Sequence, residues 1–422
     1  MKIERALILA AGVAVAASAC ATAAAGGGAG AAAPDAAASS ALPQVTCASG
    51  APTVTAFATA SQAALNRTLV LRGAAATPFY TTAQEQARQG IASDPNNPLH
   101  YYLLGQAAVS TNNYAAADSA FRRTVELCPQ FAGEVDPLRQ RAAQTVFNAG
   151  VEAFNRQDTA AALAQWSTAA SLYDRFPQAS FNQAVVYSGR NDAARAAAAY
   201  RTTLTALERA PTDTSNASEM AEMRASSLSG LVGVGAQLFA ANQFQQAADV
   251  FNEVHRLDPN NRDAWYNHAL SLYKLERWQD LVPIATRLVQ IDPLNYNGRI
   301  ILFNAYKGMS DAARTARNTS VEATNRQLAL STLTAADALP VQINELQLTL
   351  REGGARLAGT VTGATAAAGT PVRLEFTFFG PTGPVGTQTV TVNAPAKSAT
   401  TPIEVTLTTT QPVTGWSYRV AS

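Results

Sequence analysis

The feature that most constrains this chain is a period. Asp94-Pro95-Asn96-Asn97 is followed by Cys128-Pro129 with 34 residues from proline to proline, and Asp258-Pro259-Asn260-Asn261 by Asp292-Pro293 at the same distance. Apolar residues keep step with the prolines. Residues 98–131 carry Tyr101, Leu104, Gly105, Ala108, Tyr114, Ala117 and Phe121. Residues 228–261 carry Leu231, Val234, Gly235, Leu238, Phe244, Ala247 and Phe251 at identical offsets, and residues 262–295 carry Trp265, His268, Ala269, Leu272, Trp278, Leu281 and Ala285. Helical spacing on both sides of a central break predicts a pair of helices. Such a pair cannot cover its own apolar stripe, so the next pair must cover it.

The large-small-large order resembles the tetratricopeptide repeat. A Gly or Ala midway along the first helix lets the second approach closely, and aromatic residues fill the space beside that contact. Residues 143–176 (Val146, Gly150, Ala153, Ala162, Trp166, Ala169) and 177–210 (Ala184, Tyr187, Ala196, Tyr200, Thr203) fit without the closing proline. Residues 132–142 and 211–227 are insertions with helix-forming stretches, expected to lengthen or bridge helices. Residues 64–97 read as a degenerate leading unit with Tyr80, Ala83, Ala87 and Pro95 in frame, and residues 296–330 begin a further unit at Leu302 and Tyr306 and then lose the frame. Atypical end units are expected of a stack that must finish in polar faces. The resemblance implies a mainly α fold, a right-handed α-α superhelix of helix pairs over residues 56–335.

After Ala338-Leu339-Pro340 the period changes to two. Val372, Leu374, Phe376 and Phe378 alternate with Arg373, Glu375, Thr377 and Phe379, and similar runs cover 343–350, 356–362, 385–392, 403–409 and 416–420. Gly353-Gly354 and Gly380-Pro381-Thr382-Gly383-Pro384 supply turns. Residues 341–422 are therefore expected to form a small all-β sandwich domain. Leu357–Val361, Phe376–Phe379, Val385-Gly386-Thr387 and Trp416–Val420 resemble the Ig-like FxLyD type of bacterial envelope domain, with Phe379-Gly380 where Tyr-Asp is usual.

The N-terminus reads as an export leader over residues 1–19: two basic residues among the first five, then the uncharged run 6–19 ending Ala17-Ser18-Ala19. Two cleavage readings compete. The small-x-small ending suits ordinary signal peptidase and a soluble periplasmic protein. The same residues with Cys20 resemble a lipobox, with Ala17 where Leu or Val is usual, and imply a lipid anchor on Cys20. The Ala-, Gly- and Ser-rich stretch after Cys20 suits a flexible tether, read here as residues 20–55. No later run is long and apolar enough to span a bilayer. A lipid-anchored protein facing the periplasm follows, with a mild preference for the outer membrane because Ala21, not aspartate, succeeds Cys20.

Charge excludes one class of partner. The chain has 31 basic and 30 acidic residues, and once Lys2, Glu4 and Arg5 leave with the leader the net charge is zero. No long-range field draws nucleic acid, and the membrane is engaged only through Cys20. Nor does catalysis find a foothold. Gly26-Gly27-Gly28-Ala29-Gly30 has no strand before it and no lysine after it, so it is not a phosphate loop. Gly233-Val234-Gly235 falls inside a repeat, where close helix packing accounts for it. His100 is expected at an exposed helix start, His255 near a helix end where a cation is favourable, and His268 packed at a repeat position. No residues stand at metal-ligand spacing, no acid–base pair or activated nucleophile is recognisable, and no cofactor is implied. Cys47 and Cys128 could pair in an oxidising compartment, but the simpler reading is two separate thiols, with Cys128 buried at a helix end.

In tetratricopeptide proteins the first helices line a concave face that holds a peptide or a partner helix. The corresponding positions here are Tyr102, Gln106, Phe147, Val151, Phe154, Phe181, Val185, Phe239, Tyr266, Leu270, Tyr273 and Lys274. Asn148, Asn182 and Asn267, next to three of the aromatics, could bond an extended backbone. The competing reading is that the aromatics pack within the stack. The expected function is a non-catalytic protein-interaction scaffold of the bacterial envelope whose groove holds a protein or peptide partner. The alternative is a carbohydrate- or peptidoglycan-binding protein acting through the sandwich, with the repeats as spacer.

Overall fold

The computed structural model describes residues 41–421 except 72, 211–215, 352 and 381–382. The leader, Cys20 and the tether up to residue 40 lie outside these residues. Among the described residues run fourteen α-helices and six strands. The helices are α1 (Ala56–Thr68), α2 (Thr77–Ser93), α3 (Pro98–Ser110), α4 (Tyr114–Leu127), α5 (Ala132–Asn155), α6 (Thr159–Leu172), α7 (Pro177–Gly189), α8 (Ala193–Arg209), α9 (Ala217–Ala240), α10 (Phe244–Leu257), α11 (Arg262–Lys274), α12 (Trp278–Ile291), α13 (Tyr296–Thr315) and α14 (Thr319–Asp337). The helices pair as in tetratricopeptide repeats. The chain divides into two compact units, one of residues 41–183 with 205–210 and one of residues 184–204 with 216–421, the break falling within α7 and α8.

Several helices start where a side chain can satisfy free N–H groups, while α2, α5, α9, α10 and α12 start without a side-chain cap. Asn97, Asn113, Asp158, Asn261, Asn295 and Asn318 are N-caps whose side-chain oxygens accept from backbone amides at the start of α3, α4, α6, α11, α13 and α14. Within hairpins, small meets large as the repeat requires. A Cβ on Gly105 would come within 2.5 Å of the Phe121 ring, and one on Gly150 or Gly235 within 2.6 Å of Trp166 or Phe251. Each ring lies sixteen residues after its glycine and is buried. Gly233 faces open space, so close packing accounts for Gly235 alone.

The insertions lengthen helices: residues 132–142 open the long α5 and residues 217–227 the long α9. Residues 296–330 lose the frame as the pattern predicts, since α13 runs on to Thr315 and α14 starts only at Thr319, although the two helices still pair in a hairpin that reaches Asp337. Two expectations are corrected. Residues 41–55 are not a tether: Leu42, Val45 and Cys47 pack into the core of the leading hairpins. The two thiols are not separate. Cys47 and Cys128 form a disulfide with Cα atoms 5.4 Å apart, which fixes the N-terminal segment to the C-cap of α4. Sequence spacing concealed this, since the partners lie 81 residues apart.

The strands are β1 (Val341–Arg351), β2 (Gly354–Gly363), β3 (Pro371–Gly380), β4 (Gly383–Asn393), β5 (Thr400–Thr408) and β6 (Gly415–Val420). They make two antiparallel sheets, β1-β2-β5 and β4-β3-β6, as the alternation predicts. Leu357, Val361, Leu374, Phe376, Phe378, Val405, Trp416 and Tyr418 from both sheets share one buried core.

That core does not stop at the last helix. Leu294, between α12 and α13, belongs to it. The Tyr418 hydroxyl donates to Asp292 Oδ1 at 2.8 Å and accepts from the Leu294 amide at 3.0 Å. Arg262 donates to Asp292 Oδ2 at 3.1 Å, the Ile343 amide donates to the Leu294 carbonyl at 3.0 Å, and Asn295 Nδ2 donates to the Ile343 carbonyl at 3.3 Å. Burial pushes the Asp292 carboxyl upward while Arg262 and Tyr418 pull it down. Sandwich and terminal repeats thus meet through a dry, hydrogen-bonded joint, where the change of period at residue 340 had suggested a separate domain.

Candidate functional site

The expected groove residues divide by unit. In the first unit, Tyr102 is buried with its ring centroid 5.6 Å from Phe131, and Phe147 is buried edge-on to Phe176 at 5.3 Å. These two belong to the core. Val151, Phe154 and Phe181 stay half-buried, Phe154 with its ring centroid 5.7 Å from Trp166, and Gln106 donates to the Tyr102 hydroxyl at 3.0 Å. Asn148 is exposed and accepts from Gln144 at 2.9 Å.

In the second unit every expected position keeps some surface. Val185 and Phe239 are half-buried, Phe239 with its ring centroid 5.1 Å from Phe244. Along α11, Tyr266, Leu270 and Tyr273 are half-buried at spacings of four and three residues, so they share one helix face, and Lys274 beside them is exposed. The Arg262 guanidinium sits 4.6 Å from the Tyr266 ring centroid and Trp278 packs edge-on to Tyr273 at 5.6 Å. Asn182 and Asn267 are half-buried.

The histidines depart from expectation in an instructive way. His100 is fully buried, not exposed; its Nε2 lies 3.4 Å from the Thr55 hydroxyl and its ring rests on Gly90. His255 is not a solvated cation at a helix end. Its Nε2 meets Nδ1 of His268 at 2.9 Å, both residues are buried, and its ring stacks on Trp265 at 3.8 Å. Burial pushes both imidazoles down to about 4, helped at His255 by Arg256 and at His268 by His255 itself. A neutral pair in which one ring donates and the other accepts is the arrangement these facts permit. Among the described residues no group of three or more His, Cys, Asp or Glu comes together as a metal site requires.

Sequence reasoning missed a cavity. A space of about 1030 Å³ opens in the first unit between α4, α5 and α6, lined by Asn112, Tyr114, Asp118, Thr145, Gln165 and Ser167 among others. It lies on the opposite side of α5 from Phe147, Val151 and Phe154. Its one carboxylate, Asp118, is already engaged by Arg139 at 2.8 Å and Arg122 at 3.0 Å. Small residues on α6, Ala164 and Ser167, were the only signal for it. Among the described residues no helix is long and apolar enough to cross a membrane.

Comparison with known proteins bears on this architecture. The tetratricopeptide-repeat family model matches residues 74–130, 147–213 and 237–295. Similar solved structures include the C-terminal part of a TPR repeat-containing protein from Cytophaga hutchinsonii, at 13% identity over 67% of this chain and 95% of that one, with a TM-score of 0.25. YrrB, described as a TPR protein with an unusual peptide-binding site, shares 13% identity over 61% of this chain and 93% of its own, with a TM-score of 0.25. Yeast Tom70 shares 16% over 65% of this chain and 46% of its own, with a TM-score of 0.23. Scores this low carry no argument of their own; the repeat matches carry the assignment. No curated protein matches the chain in sequence.

Proposed function

We propose that the chain, whose repeats match the tetratricopeptide-repeat model, is a protein-interaction scaffold that binds a protein or peptide of the bacterial envelope along the first helices of its repeats, by recognition and not by catalysis. One observation carries this reading: Tyr266, Leu270 and Tyr273 form a half-buried stripe on α11, with exposed Lys274 at its end. Such a stripe retains apolar surface for a partner to cover, as helix-in-groove recognition requires. Val151 and Phe154 on α5 extend the same chemistry to the first unit.

Location belongs to the same proposal. The protein is exported, anchored by lipid on Cys20 and faces the periplasm, with the outer membrane preferred and a soluble periplasmic form as the alternative. The Cys47–Cys128 disulfide supports an oxidising compartment. The carbohydrate-binding alternative has less support, because Phe376, Phe378, Trp416 and Tyr418 are buried in the sandwich and only the half-buried Phe379 keeps aromatic surface there.

A photo-crosslinking side chain at Leu270, compared with one at the exposed Gln290 of α12, tests the groove in cells. Adducts confined to position 270, and lost on changing Tyr266 and Tyr273 to Ala in a folded variant, are expected; equal adducts at both positions would remove the groove. Labelling with a radioactive fatty acid should mark wild type and not Cys20→Ala, and an unlabelled wild type would end the anchor.

A further inference from the structure

Two three-stranded sheets present four edge strands: β1, β5, β4 and β6. An open edge offers a row of unpaired backbone groups, and proteins usually blunt it with charge, proline, a bulge or a cover. Three of the edges here are blunted. β1 has a bulge at Glu345, whose φ is 55°, and its Ile343 is bonded to Leu294 and Asn295. β5 carries Pro402 and a Glu404 paired with Arg356. β6 is six residues long, carries Arg419, and starts with Gly415 pressed onto Asn260.

β4 has no charge or bulge along most of its length, and although β5 of the other sheet comes close, with Leu407 against Gly386, it makes no backbone pairing with β4. Its eleven residues include no charged side chain, its single proline is at the second position, and its register with β3 is unbroken from Gly386 to Asn393. Thr387, Thr389 and Thr391 stand exposed on the outer face, with Val390 and Val392 half-buried beneath. Among the described residues only β3 pairs with its backbone.

We propose that β4 is a dimerisation edge: it pairs antiparallel with β4 of a second copy of this chain and joins two β4-β3-β6 sheets into one of six strands. Self-pairing suits this strand for a physical reason. About a two-fold axis near Thr389, Thr387 faces Thr391 of the second copy and Thr389 faces its own equivalent. Such Thr–Thr cross-strand pairs are favourable, and no like charges are opposed. The inner rows continue Gln388 against Val390, which extends the apolar side of each sheet. A charged peptide would meet no counter-charge on this strand. One strand pair buries less surface than a permanent interface, so association depends on concentration.

Sedimentation of the full chain decides the matter. Wild type should rise with concentration toward twice the monomer mass. Thr387→Lys/Thr391→Lys should stay monomeric with unchanged circular dichroism, and Thr387→Glu/Thr391→Glu likewise, while their equimolar mixture should recover the dimer. Thr389→Val, uncharged and β-branched, should dimerise as wild type does. A wild type of monomer mass up to about 1 mM would overturn the proposal. So would a dimer indifferent to both lysines, or one bound only to another protein's strand.

Discussion

The hydroxyl of Tyr418, at the end of the sandwich, donates to Asp292 at the end of a repeat, at 2.8 Å and out of contact with water. The carboxylate also neutralises Arg262, so the tyrosine completes a buried ionic network. Tyr418→Phe leaves one Asp292 oxygen and the Leu294 amide without this partner. A hydrogen bond to a buried charge contributes about 1.5–3 kcal/mol, which is the loss expected in denaturant unfolding. Asp292→Ala should cost about 3 kcal/mol, because it leaves the largely buried Arg262 with only the half-exposed Asp263 as counter-charge. Near-neutral effects of both changes would show that the joint is not dry in solution.

The disulfide yields a second expectation. Cys47 and Cys128 close a loop across 81 positions, and cross-linking a loop of that size removes denatured-state entropy worth about 4.5 kcal/mol. Cys47→Ser/Cys128→Ser should unfold at correspondingly lower denaturant, and wild type under reductant should match it. The loss should concentrate in residues 41–55, whose amide hydrogen exchange should rise toward that of a free chain.

The helical hairpins were legible because a glycine and an aromatic sixteen residues later, as in Gly105 and Phe121, report a contact inside one local unit. The strands were legible because alternation in Val372–Phe378 is equally local. What failed to show shares the opposite property. Tyr418 and Asp292 lie 126 positions apart, and no periodicity connects them. Tyr102 and Phe147 could not be told from groove residues, since helical spacing is the same whether an aromatic faces a ligand or the neighbouring helix. His255 and His268 each looked ordinary alone; only packing makes them a pair.

That pair sets a pH dependence. Both imidazoles fall from the ordinary 6.5 to about 4 in the folded protein, so the unfolded chain binds more protons between those values. Folding stability contributed by the neutral pair is therefore complete above about pH 6.5 and is lost as pH falls toward 4. After allowance for solvent screening the loss should be about 3 kcal/mol. Carboxylates titrate in part of this window, so the comparison is His255→Phe/His268→Leu, in which the slope of unfolding free energy against pH between 4 and 6.5 should flatten. An unaltered slope would mean the rings take up protons without disturbing the fold.

From α3 onward, each hairpin turn that joins a first to a second helix holds one non-glycine residue in the left-handed region: Asn112, Gln157, Asn191, Asn242, Glu276 and Arg317, with φ between 54° and 64°. Asparagine tolerates that conformation, whereas Gln, Glu and Arg pay a steric penalty of about 1 kcal/mol between Cβ and the backbone. Glu276 is the clearest case. Its φ is 54°, its side chain is exposed and makes no hydrogen bond or ion pair among the described residues, and it occupies the position that Asn242 holds one repeat earlier. Glu276→Gly removes the steric cost while adding some denatured-state entropy, so a net gain of about 0.5 kcal/mol is expected, with a larger gain for Glu276→Asn, which keeps the side chain's restriction of the unfolded chain. Glu276→Val should lose about 1–2 kcal/mol, because a β-branched residue fits the left-handed region worst. Chemical denaturation of the three variants should rank them Asn, Gly, Val from most to least stable. A valine variant as stable as glycine would show that the turn abandons its left-handed residue in solution.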